Sequence, residues 1–193
     1  MQIFLIRHPR PLIDAGVCYG RLDIDCADAQ HVAARLRALL PEGTPVISSP
    51  LRRAWQLAEA LDPQARIDAR LTEIDFGEWE GRSWDAIGRD ALDAWADDVF
   101  NFCPPGGESP ARLQQRAIDF AASLAGSRVG SHLALVTHAG VMRALVGHWR
   151  QLPLAEWRVN PRLAAPESAP EVLASTIWVN TGGDRIWVGP EVD

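Results

Sequence analysis

The chain has 193 residues, 47% of them hydrophobic and 23% charged, which suits one globular domain able to bury a real core. A net charge of −6 argues against a general nucleic-acid surface, which needs a basic face, and no apolar run approaches the roughly 20 residues that span a bilayer. All 19 basic residues are arginine, so any side-chain cation holding a phosphate is a guanidinium that can grip it bidentately.

Taken in chain order, the first element is the continuous apolar run Ile3-Phe4-Leu5-Ile6, which reads as a short strand over 3–7 buried on both faces and ends in Arg7-His8. An irregular stretch, 9–26, is rich in Pro, Gly and Asp. Residues 28–40 read as a helix, with Val32, Leu36, Leu39 and Leu40 on one face and Pro41 past its end. Val46-Ile47-Ser48 is a second short strand. Ser49-Pro50 then reads as the N-cap and first-turn proline of a helix to about Leu61, burying Leu51, Ala54, Leu57, Ala58 and Leu61. Ser109-Pro110 repeats that start signal before the stripe Leu113, Ala117, Phe120, Ala121 and Leu124, with Gly126 as a C-terminal cap. A strand over 132–137 leads through Thr137-His138-Ala139-Gly140 into a helix over 139–149. The Pro- and Ala-rich residues 160–171 read as a surface loop, and strand-like segments at 175–180 and 185–188 flank Gly182-Gly183.

Strands alternating with helices imply an α/β fold, a three-layer α/β/α sandwich around a mostly parallel sheet. No internal repeat or linker divides it, so 1–193 reads as a single domain, with a small cover region about 82–108. Two strands each deliver a histidine, His8 and His138, to the carboxyl edge of the sheet, where ligands bind in open α/β folds. Arginines beside them point to a phosphoryl-transfer site.

Leu5-Ile6-Arg7-His8 resembles the opening of the histidine phosphatase superfamily, its phosphoglycerate mutase-like branch. Three further segments match in order: Ser48-Ser49-Pro50-Leu51-Arg52-Arg53-Ala54, then Leu71 to Gly81 with Thr72-Glu73 near its start, then Val136 to Gly140. Pro105-Gly106-Gly107-Glu108-Ser109 also resembles a segment common in that family. The resemblance covers most of the chain up to about residue 150. It implies that His8 is a nucleophile forming a phosphohistidine, and that Arg7, Arg53 and His138 surround the transferred group and stabilise its charge. The family pattern gives the pocket role to Arg53 and leaves Arg52 on the surface. Arg53 falls in the first turns of a helix, whose free N–H groups would also favour an anion. Glu73 is selected by the same alignment as general acid and base, since Asp75, Glu78 and Glu80 are otherwise equal candidates. One departure stands out: Pro9 replaces the family's glycine, removing an N–H and pushing His8 toward extended backbone.

Arg10, Tyr19 and Arg21 in the loop after His8 are candidate substrate contacts. The segment Gly16 to Asp23 resembles the α-ribazole phosphatase members of the superfamily, which implies α-ribazole 5′-phosphate as substrate and a place in cobalamin assembly. Trp84, Trp95, Phe100 and Phe102 either cover the site and stack on a flat base or pack as core. The expected activity is phosphomonoester hydrolysis of a small phosphorylated metabolite without metal or organic cofactor, nucleic acid or membrane. A broad-specificity phosphatase, a mutase-type transferase and a non-catalytic phospho-ligand-binding domain are the alternatives. The chain lacks HExxH, a compact metal-ligand cluster, a GxGxxG after the first strand and a Walker A motif. Cys18, Cys26 and Cys103, odd in number and without a CxxC pair, fit a reducing cytoplasm, as does the lack of a signal-peptide pattern at the N-terminus. Oligomeric state is left open.

Overall fold

The computed structural model describes residues 2–124, 130–149, 151 and 177–179. The elements run β1 (Gln2–Arg7), α1 (Ala29–Arg37), β2 (Val46–Ser48), α2 (Arg52–Leu61), β3 (Arg66–Ile67), α3 (Trp84–Ile87), α4 (Arg89–Asp97), α5 (Pro110–Leu124), β4 (His132–Thr137), α6 (Ala139–Trp149) and β5 (Ile177–Val179). Short 3-10 turns occupy Ala69–Leu71 and Gly77–Trp79. Five strands form one sheet in the order β3-β2-β4-β1-β5, and every pairing between these strands is parallel.

Alternation along each strand sorts its side chains between two cores. Ile3, Leu5, Ile47, Leu133 and Leu135 pack under α5 and α6 with Leu113, Phe120, Val141 and Leu145. Phe4, Ile6, Val46, Ala134 and Val136 pack on the other face under α1 and α2 with Ala33, Leu36, Ala54 and Leu57. Both faces are covered, which is why β1 and β4 read as unbroken apolar runs rather than alternating ones. The three-layer reading holds. A third, smaller cluster of Cys18, Trp79 and Ile87, with Phe76, Trp84, Trp95 and Phe102 against it, lies outside the sheet.

Several boundaries differ from the sequence pattern. Helix α1 stops at Arg37 and Leu39 is 38% exposed, because the chain turns at 38–40 instead of completing the apolar face. Helix α2 starts at Arg52 with Leu51 at its N-cap, since Ser49 is drawn into a different contact described below. The periodicity gave no sign of β3, α3 or α4. The first has two residues and an edge position, and the second has four. Helix α4 buries no residue fully and is lined by Asp on its exposed side. Gly126, the loop 160–171 and the segment 185–188 with Gly182-Gly183 lie outside the described residues. Among the described residues no helix is long and apolar enough to cross a membrane.

Leu135 is fully buried in the β4 strand beneath α5 and α6. Leu135→Ala should lower the unfolding free energy by about 2–5 kcal/mol, the range for a buried leucine whose cavity cannot collapse. Urea titration measures this, and a loss within ~0.5 kcal/mol would contradict the packing described.

Candidate active site

The site is built by the register of three neighbouring strands. Arg7 on β1 lies opposite Thr137 on β4, and Ser48 on β2 lies opposite Val136. The next residues, His8, His138 and Ser49, therefore leave the sheet side by side. The backbone ladder continues one step further, with His8 N–H donating to Thr137 O (3.0 Å) and Ser49 N–H to Val136 O (2.9 Å). Helix α1 after β1 and helix α6 after β4 lie on opposite faces. The crevice between these strand ends is thus the place where an open α/β sheet binds ligands.

His8 is 3% exposed and its ring lies 5.0 Å, centroid to centroid, from that of His138. Its Nδ1 is 2.6 Å from the carbonyl oxygen of Pro9. A carbonyl can only accept, so Nδ1 carries the proton and the neutral ring keeps its lone pair on Nε2. Burial pulls the His8 pKa down from 6.5 to about 3; the Pro9 carbonyl works in the opposite direction, and the charges of Arg53 and Arg7 lower it further. The proline at the departure from the family pattern therefore still supplies the acceptor that sets the tautomer.

His138 is fully buried, and burial, followed by Arg53, His8, Arg116 and Arg7, holds its pKa well below 6.5. Its Nε2 lies 2.7 Å from the Ser49 hydroxyl, while Nδ1 has no hydrogen-bond partner among the described residues. Arg53, on the first turn of α2, is also fully buried. It donates to the carbonyls of Gly20 (2.6 Å) and Leu22 (2.8 Å), its guanidinium lies 5.3 Å from the Tyr19 ring centre, and Nε has no partner among the described residues. Two buried polar atoms without partners among the described residues, one on an imidazole and one on a guanidinium, make the cluster a pocket suited to a compact anion. The helix itself contributes less than the sequence suggested. The Arg52 N–H, the first of α2, goes to Asp23 Oδ1 (2.7 Å), and the N–H of Leu51 just before the helix goes to Ser49 Oγ (3.3 Å), so both donors are already used.

Glu73 follows the 3-10 turn Ala69–Leu71, whose end is tied to β4 by the Thr137 hydroxyl donating to Leu71 O (2.7 Å). The Glu73 carboxylate accepts N–H groups from Ile74 (3.0 Å) and from Gly140 in the first turn of α6 (3.2 Å). It is also the largest charge opposing the burial-driven lowering of the Arg53 pKa, which places it at the same cluster. A Cβ at position 140 would come within 2.3 Å of Glu73 Oε1, so glycine is required for this approach.

The structure thus gathers Arg7, His8, Arg53, Glu73 and His138, with Tyr19 against Arg53. Arg52 is exposed and pairs with Asp25 (2.6 Å). The Arg10 side chain is exposed. Arg21 engages Asp75 and Glu108, each at 3.4 Å. Trp84 stacks on Trp95 (5.8 Å, interplanar 8°) and Trp79 on Phe102 (5.6 Å, interplanar 29°), so these rings pack chiefly against one another. Ser49 and Arg116 were missed as site residues. Ser49 has the signature of a helix cap, and Arg116 is one more polar position on an amphipathic helix.

The model of the histidine phosphatase superfamily, branch 1, matches residues 3–165. A glucosyl-3-phosphoglycerate phosphatase of Mycolicibacterium vanbaalenii is 32% identical over 181 residues, spanning 82% of this chain and 78% of its own. An acid phosphatase of Mycobacterium tuberculosis is 35% identical over 176 residues, spanning 87% and 83%. Among solved structures, the α-ribazole phosphatase of Shigella flexneri superposes with a TM-score of 0.73 at 28% identity, covering 82% of this chain and 84% of that one.

Both imidazoles are held neutral, which gives stability a pH dependence of definite sign. Above pH 6.5 neither the folded nor the unfolded chain protonates them. Below it the unfolded chain takes up protons that the folded chain refuses, so stability falls as pH drops from 6.5 toward about 3. At pH ~4.5 His8 alone should cost about 2–3 kcal/mol relative to pH 7. Urea unfolding of the wild type and His8→Gln at the two values measures this, and the variant should show the smaller loss. Nitrogen NMR of His8 at pH ~5.5 should show a neutral ring protonated at Nδ1. A His8 that titrates near 6.5 would contradict the buried geometry.

Proposed function

The chain belongs to the histidine phosphatase superfamily and is a phosphoric monoester hydrolase, and from that footing we propose that it acts through a covalent phosphohistidine on His8. The observation carrying this reading is the His8 ring, whose bond to the Pro9 carbonyl leaves Nε2 as the unprotonated nitrogen in a cationic pocket.

In the proposed first step the Nε2 lone pair attacks phosphorus and the bond to the ester oxygen breaks. Glu73 gives the departing alkoxide a proton. Positive charge gathering on the imidazole is stabilised by the Pro9 carbonyl at Nδ1. Arg7 and Arg53 offset the charge on the non-bridging oxygens, and His138 Nδ1 is available to one of them when protonated. In the second step Glu73 takes a proton from water, which attacks phosphorus as the P–N bond breaks. Inorganic phosphate and neutral His8 result.

For the substrate we propose a small phosphorylated metabolite, with α-ribazole 5′-phosphate first. Support comes from the segment Gly16 to Asp23 and the likeness to the Shigella flexneri α-ribazole phosphatase. Arg10 and Tyr19 are the proposed contacts to the alcohol portion, and cobalamin assembly in the cytoplasm the proposed setting. The 32% identity to a glucosyl-3-phosphoglycerate phosphatase favours that phosphorylated sugar acid as the second reading.

The purified protein, with EDTA present, should release phosphate from one of these esters in preference to other sugar and nucleotide monophosphates. His8→Ala should abolish release, by ~10³-fold or more. Turnover of α-ribazole phosphate supports the cobalamin setting, and turnover of another ester alone removes it. Stable phosphorylation of His8 without release would instead favour the binding-domain alternative. For Glu73→Gln, kcat/KM should fall by roughly 10²-fold or more on an alkyl phosphate. The loss should be far smaller on 4-nitrophenyl phosphate, whose leaving group needs no proton. Equal losses would remove Glu73 as the acid.

A further inference from the structure

We propose that Arg116 and Glu108 form a positioning clamp for Glu73, which Arg21 extends to the loop that holds Arg53. The inference rests on the reading of Glu73 as proton donor and acceptor.

Glu73 lies in a segment without regular hydrogen bonding, between the turn Ala69–Leu71 and the turn Gly77–Trp79. Its backbone is gripped by one side chain of the fifteen-residue helix α5. Arg116 Nη1 donates to Arg70 O (2.7 Å) and Nη2 to Glu73 O (3.0 Å), so a single planar guanidinium spans residues 70 and 73. The guanidinium is itself fixed by Glu108, whose Oε1 accepts from Nη2 (2.6 Å) and whose Oε2 accepts from Nε (3.3 Å). Glu108 also meets Asp75 along the backbone, donating N–H to Asp75 O (2.9 Å) and accepting Asp75 N–H on Oε1 (3.3 Å). Arg21 closes the set with 3.4 Å contacts to Asp75 and Glu108, and its own N–H goes to Glu80 Oε1 (2.7 Å). The neighbouring carbonyl, that of Gly20, receives Arg53 Nη2 at 2.6 Å.

The Arg116 and Glu108 side chains are only 16% and 11% exposed. A pair so placed adds little net stability, because desolvating both charges offsets their attraction. What it does supply is geometry. The rigid fork of arginine makes four bonds from three separated nitrogens, to two carbonyls and both oxygens of a carboxylate, whereas the ammonium of lysine offers three donors from one point. A carboxylate displaced by about 1 Å from its proton-transfer position loses much of its effect. The clamp therefore acts on chemistry through Glu73 and touches no substrate.

Arg116→Lys is tested beside the wild type and Glu73→Gln, with kcat/KM read on an alkyl phosphate and on 4-nitrophenyl phosphate. kcat/KM reports binding and steps through phosphohistidine formation, so the difference between the two esters isolates protonation of the leaving group. Arg116→Lys should lose about 10-fold or more on the alkyl ester and stay within about 2-fold on the nitrophenyl ester. Equal losses on both esters in a variant that melts cooperatively, or no loss on either, would overturn the clamp. If Arg116→Lys does not fold, Glu108→Gln, which keeps the shape and removes the charge, is read by the same ratio. Equal losses in Glu73→Gln itself would overturn the acid–base reading, and the clamp with it.

Discussion

Parallel pairing between β1 and β4 is the constraint on which the site depends. Arg7 opposite Thr137 sets His8 beside His138 at the carboxyl edge, and the β2–β4 register adds Ser49 at the same level. A slip of one residue would send every side chain of a strand to the opposite core. With Phe4 and Ile6 committed to one face and Ile3 and Leu5 to the other, such a slip would mismatch both layers at once. The cores therefore hold the register, and the register holds the histidines. Catalytic geometry here follows from hydrophobic burial some distance away.

The electrostatics follow from the same placement. Strand ends enclosed by helices and loops leave both imidazoles with almost no water, and burial is the largest influence lowering their pKa values. Arg53 and Arg7 reinforce it. A neutral ring with its proton fixed on Nδ1 suits nucleophilic attack, and the cations that keep it neutral are also those suited to a phosphoryl group. One arrangement thus serves both the nucleophile and the anion.

Regular structure positions only part of the cluster. Tyr19, Gly20 and the whole 72–76 segment lie in loops, and arginines hold them. Arg53 takes the carbonyls of Gly20 and Leu22, while Arg116 takes those of Arg70 and Glu73. A guanidinium with five donors can satisfy several backbone acceptors that have no strand partner. With no lysine in the chain, the side-chain cations that fasten irregular backbone here are arginines, beside neutral donors such as the Thr137 hydroxyl on Leu71 O.

The sequence alone determined the strands β1, β2 and β4, the long helices and the two histidines, since burial on both faces and helical periodicity write themselves into local composition. The family motifs also pointed to Arg7, Arg53 and Glu73 in order along the chain. It did not determine α3, α4 or β3, which are too short or too exposed for any period to develop. Nor did it reveal that Ser49 meets His138 rather than capping a helix, that Trp84 and Trp95 stack on each other, or that Arg21 and Arg116 converge on Glu108. Those outcomes rest on contacts between residues 8 to 89 positions apart. Local pattern encodes which face of an element is buried; only the folded chain decides which distant polar groups meet there, because hydrogen-bond partners are chosen by geometry and not by composition.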